Sequence, residues 1–229
     1  MVDRKAFHTL SYGVYIVAAQ TDELRAGCVV NTFQQVTSTP AQVSVAVNKD
    51  NATADVIRAA GRFTAAVLDE TATMELIGRF GFKTSTDIDK FADTAFATDA
   101  AGQPYVTEHA AAWASVRVDH TIDMGSHWVF LGEAEEAGVL SKEPPMTYAF
   151  YRQVKGGKTP PKASSYDATE AAPAADAAPA GDAEAASAGT SKWECQICGY
   201  VVEVEGDSLP ADFTCPICGA GPDQFTRIA

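Results

Sequence analysis

Four of the five cysteines fall within the last 35 residues as two Cys-x-x-Cys pairs, Cys195/Cys198 and Cys215/Cys218, and nothing else in the sequence restricts its segment so tightly. Two such pairs facing each other supply a tetrahedron of thiolates, a donor set suited to iron or zinc. A reducing compartment favours that reading over disulfides. The start, Met1 to Leu10, has charges but no apolar stretch behind them, and no later run approaches a membrane span, so a cytoplasmic protein is expected. Metal binding can fold a segment too short to stabilise itself by burial. Each pair is followed by glycine, Gly199 and Gly219, which can take positive φ and turn backbone N–H groups toward the sulfurs. Such contacts stabilise the reduced, more negative centre.

Just before this segment, residues 163–192 shift abruptly to Ala, Pro, Gly, Ser and acidic residues, with almost nothing to fill a core. Pro173 and Pro179 interrupt any helix, so the stretch reads as a flexible linker spanning roughly 30 Å. Three parts follow: a large domain over 1–162, the linker over 163–192, and a small metal domain over 193–229. The formal net charge of −13 excludes a sequence-independent grip on nucleic acid, which needs a basic surface. It suits small-molecule chemistry or a partner with a basic docking patch.

The large domain contains short runs dense in β-branched and aromatic residues: 14–17, 28–30, 43–47, 63–68, 113–118 and 128–131. Two stretches carry helix signals instead, Thr53 to Ala60 ending at Gly61 and Thr71 to Phe80 ending at Gly81. The expected fold is mainly β, a barrel with a few surface helices. No Gly-x-Gly-x-x-Gly follows a strand, so a Rossmann nucleotide site has no support. Between residues 26 and 53 a strand breaks into Asn/Thr-rich backbone and a second strand ends in polar residues at a helix start. That arrangement offers N–H groups, hydroxyls and a cation to a phosphate, although Asn and Thr also serve as turn and cap residues.

The C-terminal segment resembles rubredoxin: Trp193, Cys195-Gln196-Ile197-Cys198-Gly199-Tyr200, Leu209-Pro210-Ala211-Asp212-Phe213-Thr214-Cys215-Pro216-Ile217-Cys218-Gly219-Ala220 and Phe225 follow its signature. The spacing between the pairs is shortened, as in rubrerythrin-like proteins. The resemblance implies one iron ion on Cys195, Cys198, Cys215 and Cys218, with a structural zinc ribbon as the alternative, and Trp193 and Phe225 as the small core. Residues 5–162 resemble the flavin reductase-like family of FMN-binding split β-barrels, which pair as homodimers. The likeness runs through Ser11 to Val17, Asn31 to Pro40, Val45 to Thr53, Gly61-Arg62-Phe63, Arg79 to Lys83, Asp89-Lys90-Phe91 and Gly125 to Gly132. Together with Met146 to Tyr151 and the rubredoxin-like tail, the chain resembles the fused flavoprotein-rubredoxins of anaerobes.

By that resemblance, Asn31, Thr32 and Thr37 contact the isoalloxazine edge and ribityl chain of FMN, Asn48, Lys49, Thr53 and Lys90 surround its phosphate, and His127 lies near the flavin. His127 is otherwise a structural histidine, and Cys28 is either a neighbour of the ring or a core residue. The implied activity is NAD(P)H-dependent electron transfer through FMN to the iron site and on to an acceptor protein of the flavodiiron or rubrerythrin type. No acid–base residue is assigned, because orientation and electrostatics are the protein's task in such chemistry. Two rival readings remain: an electron carrier not reduced by nicotinamide, and a flavin reductase releasing reduced flavin, with zinc in its tail.

Overall fold

The computed structural model describes residues 2–155 and 190–228. In the large unit the elements run β1 (Tyr15–Gln20), β2 (Arg25–Val30), β3 (Gln34–Ser38), β4 (Ala41–Asn48), α1 (Ala52–Ala60), β5 (Arg62–Leu68), α2 (Met74–Gly81), β6 (Phe96–Thr98) and β7 (Pro104–Val106). They continue through β8 (Ala110–Asp123), β9 (His127–Val139) and α3 (Tyr148–Gln153). Seven strands form one antiparallel sheet in the order β2-β1-β5-β8-β9-β4-β3.

Strands β1 and β5 read as continuous apolar runs because both of their faces are covered. Ile16, Ala18, Ala66 and Leu68 face one cluster, where α2 contributes Leu76, Ile77 and Phe80. Val17, Ala19, Phe63 and Ala65 face a second, which they share with Val43, Val45 and Val47 of β4 and with Phe130 of β9. β1 and β4 lie far apart in the sheet order, so a shared core requires the sheet to curl on itself. Among the described residues no ladder joins β2 to β3 or β4, which leaves the barrel split, and Ala54, Val56 and Ile57 of α1 pack into the same cluster.

Both main helices start where the sequence supplies a cap. The Asn51 side chain accepts from Thr53 N, and Gly61 closes α1 in the left-handed region at φ 64°, its N–H donating to Ile57 O. Thr73 caps α2 by accepting from Leu76 N, so the cap lies two residues after the expected Thr71. The hairpin of β8 and β9 reaches well beyond the apolar runs that signal it. Its outer positions are polar, and Arg117 in the middle of β8 pairs with Asp119 on its own strand and with Glu133 and Glu135 across on β9.

The small unit is a three-stranded sheet of β10 (Thr190–Cys195), β11 (Val201–Glu205) and β12 (Phe225–Arg227), in the order β11-β10-β12. Strand β10 begins three residues before the boundary read from composition, because Thr190, Ser191 and Lys192 pair with Glu205, Val204 and Glu203. The expected core is in place: Phe225 is buried, Trp193 packs beside it, and Phe213 meets Phe225 edge-on at 5.2 Å. Most of the linker expected over 163–192 lies outside the described residues. Phe63 is fully buried where the curled sheet closes on itself, so Phe63→Ala is expected to cost about 3–5 kcal/mol in urea unfolding of the large unit.

Candidate functional site

The four sulfurs of Cys195, Cys198, Cys215 and Cys218 all lie within 4.8 Å of one another. Two equivalent turns bring them there. Gly199 N donates to Cys195 O and Gly219 N to Cys215 O, each at 2.9 Å, and both glycines sit at φ 80°. Cys195 N and Cys215 N close the turns on Tyr200 O and Ala220 O, each at 2.8 Å. The positive φ points the next N–H groups at sulfur: Tyr200 N at Cys198 and Ala220 N at Cys218, while Ile217 N and Cys218 N serve Cys215. Burial pushes the Cys198 thiol up and the Cys218 thiol to about 11. Four thiols packed so closely ionise together only around a cation, and tetrahedral iron or zinc fits this donor set.

Three of the sulfurs are buried, and Cys218 is the most open. It faces a cavity of about 800 Å³ that both units line. The large unit contributes Val29, Val30 and Asn31 from β2 and beyond, Val47 and Asn48 from the end of β4, and Asn51 at the start of α1. Phe82, Lys83 and Thr84 after α2, His127 at the start of β9, and Tyr148 and Tyr151 of α3 add to its share, and Ile197, Cys218 and Gly219 come from the small unit. Apolar walls with convergent amides and a volume in the usual range for cofactor pockets suit a planar ring system with a polar edge and tail. Two carboxylates, Asp50 and Asp87, lie on the same rim.

Of the eight side chains expected at the flavin, Asn31, Asn48 and His127 line this cavity and the other five do not. Thr32 bridges to β4, donating to Ala46 O at 2.8 Å and accepting from Ala46 N at 3.1 Å. Thr37 donates to Pro40 O in the β3–β4 turn. Lys49 pairs with Asp123 and stands 4.2 Å from the centre of the Trp128 ring. Thr53 is fully buried, its hydroxyl beside the Cys28 thiol. Lys90 is 1% exposed and donates to Gly27 O at 2.8 Å and Phe80 O at 3.1 Å, tying β2 to α2 behind the cavity. Cys28 is a core residue and also part of the cavity wall, and burial keeps its thiol protonated.

His127 is half-buried, its Nδ1 lies 2.9 Å from Ser126 Oγ, and burial lowers its pKa, which favours the neutral imidazole. Lys83, Tyr148 and Tyr151 are among the cavity residues to which sequence reasoning gave no cofactor contact. A cation and hydroxyls immediately after a helix, Lys83-Thr84-Ser85-Thr86, were the available signal for the first of them. Lys83 is exposed and forms no ion pair among the described residues.

Residues 7–157 match the flavin reductase like domain, and residues 193–226 match the rubrerythrin, rubredoxin-like domain. The chain belongs to the flavin reductase-like family. Over 99% of its length and all of the relative's, this flavin reductase-like protein is 38% identical to the high molecular weight rubredoxin of Moorella thermoacetica. It is 41% identical to the ferric-chelate reductase (NAD(P)H) of Archaeoglobus fulgidus over 72% of this chain and 98% of that one. The large unit superposes on the styrene monooxygenase flavin reductase of Pseudomonas putida S12 with a TM-score of 0.54 and 25% identity, covering 63% of this chain and 90% of that chain. Fold and family therefore agree with a flavin cofactor in the large unit and one iron ion on the four thiolates of the small one.

Burial lowers the Lys90 ammonium from its ordinary 10.5 to about 8. Between those values the unfolded chain holds a proton that the folded chain lacks, so this group makes stability rise with pH through the window. Relative to Lys90→Met, the wild type should gain stability from about pH 8 to about pH 10 in urea titrations. A difference that does not vary with pH contradicts this assignment.

Proposed function

We propose that this protein is an electron-transfer flavoprotein-rubredoxin, which takes electrons from NAD(P)H into FMN, passes them to the four-thiolate iron and delivers them to an acceptor protein of the flavodiiron or rubrerythrin type. One observation carries the reading: Cys218 and Gly219 of the small unit line the same cavity as Asn31, Asn48 and His127 of the large one. A zinc tail serving only as a structural knuckle has no need to share that cavity. The similarity to a ferric-chelate reductase named for NAD(P)H supports the choice of donor.

When bound, FMN accepts a hydride as two electrons and a proton and gives electrons up singly, and four-thiolate iron takes one electron in passing from ferric to ferrous. The chain's own residues bind, orient and exclude water. Asn31 and Asn48 offer amides that both donate and accept to a polar ring edge or ribityl hydroxyls. Asn51, at the N-terminus of the nine-residue helix α1, and exposed Lys83 favour negative charge at the cofactor's tail. His127, held by Ser126, keeps a neutral imidazole on the wall, and Val29, Val30, Tyr148 and Tyr151 restrict water. The protein's net charge of −13 suits an acceptor with a basic docking patch.

We also infer a homodimer. Strand β3 is an edge of the sheet exposed along its whole length, with apolar Val36 at 50% exposure, an edge that a second copy would cover. No helix among the described residues is long and apolar enough to cross a membrane, and a cytoplasmic site of action is part of the proposal.

Anaerobic stopped-flow mixing with NADH or NADPH tests the function. The flavin absorption should bleach first and the iron–thiolate absorption second, both within turnover. In Cys215→Ser the iron signal should be lost while flavin bleaching by nicotinamide persists, because Cys215 lies outside the lining of the cavity. A flavin that stays oxidised in the wild type, or a purified protein carrying zinc, contradicts the proposal.

A further inference from the structure

Helix α2 carries a glycine, Gly78, in its interior, where glycine is a poor helix former. No turn or positive φ calls for it there. A Cβ built on Gly78 would lie 2.4 Å from Ile217 Cγ2 and 3.0 Å from Ile217 O, and its three nearest neighbours all belong to Ile217. Ile217 is the residue before Cys218 and is itself only 8% exposed. Around this contact Met74 and Phe82, which flank Gly78 on α2 and just beyond it, pack against the small unit's core. At the centre of this contact one apolar side chain of the small unit is set into the space of a missing side chain.

We propose that the α2 surface at Met74, Gly78 and Phe82 is a specific docking site for the chain's own rubredoxin-like unit, with Ile217 as the anchor that sets Cys218 against the cavity. The inference rests on the reading that electrons pass between the two units, and it names the contact that makes the passage possible. Cys218 is the most open of the four thiolates, and it immediately follows the anchor in sequence. A shift at Ile217 therefore moves the metal's nearest ligand relative to the cavity by a similar amount. The docked unit also contributes Ile197 and Gly219 to the cavity wall, so it narrows access to the site while it is seated.

A mutational cycle on the full holoprotein tests the contact. Gly78→Ala introduces a better helix former and places its methyl on Ile217. Ile217→Ala removes the Cγ2 atom with which that methyl collides. Gly78 is not part of the cavity lining, so nicotinamide should bleach the flavin of every variant at least as fast as in the wild type. In Gly78→Ala the iron signal should bleach at least about tenfold more slowly, within the roughly hundredfold loss that a misplacement near 1 Å can bring. The double variant should recover most of the Ile217→Ala rate. Hydrogen exchange, read without any electron donor, should show lost protection in α2 and in residues 215–220 of Gly78→Ala, regained in the double variant.

Unchanged protection in Gly78→Ala overturns the docking site whatever the kinetics. Lost protection with iron bleaching at the wild-type rate overturns its role in the hand-off, and so does lost transfer that the double variant does not recover. A wild-type flavin that nicotinamide never bleaches defeats the proposed function instead, and hydrogen exchange still judges the docking site.

Discussion

Charge at four sulfurs is the constraint on which the rest turns. Cys195, Cys198, Cys215 and Cys218 lie within 4.8 Å of one another in a pocket that buries three of them. Burial opposes ionisation at Cys198 and Cys218, at Cys215 the N–H groups of Cys218 and Ile217 outweigh it, and a cation favours the thiolate at all four. The backbone is shaped to share that charge. Gly199 and Gly219 take left-handed conformations that side chains resist, and the N–H groups following them point at Cys198 and Cys218. A small sheet with little core of its own then depends on the metal for its fold, and whatever sets the position of that sheet sets the position of the metal.

The large unit solves a different problem, burying both faces of its central strands without closing the sheet. Alternate residues of β1 and β5 enter two clusters, one under α2 and one inside the curl of the sheet. The gap between β2 and β4 is where the cavity opens, and the ends of those strands supply Asn31 and Asn48. Lys90 belongs to this scaffold: its buried ammonium holds Gly27 O of β2 and Phe80 O of α2 together, fixing the helix on which the small unit rests. Scaffold, cavity and docking surface are thus one arrangement of β2, β4 and α2.

The metal ligands were legible in the sequence because spacing alone fixes them: two residues between sulfurs, then a glycine, repeated. Six of the seven strands of the central sheet were legible from their apolar runs, and β3, exposed throughout and mostly polar, was not. The ends of β8 beyond Val118 and of β9 beyond Leu131 were not, since those positions are largely polar or exposed and are held by the ladder between the two strands. The cavity was legible in part. Asn31, Asn48 and His127 could be named through the likeness to the flavin reductase-like family, and all three line the opening. Thr32, Thr53 and Lys90 carry the same chemistry but spend it on the fold, on Ala46, on the neighbourhood of Cys28 and on two carbonyls. No local pattern separates a lysine bound for a phosphate from one bound for a carbonyl. Ile217 and Gly78 are nearly 140 residues apart, so their contact could not be read from sequence at all.

The central claim is that both redox groups belong to one chain and fill from one donor. Anaerobic titration of the purified protein with NADH counts the electrons directly. Two for the flavin and one for the iron make three per chain, so the visible absorption should stop changing at about 1.5 NADH per chain, with both signals gone. An endpoint at about one NADH per chain, with the thiolate centre unchanged, would contradict the account.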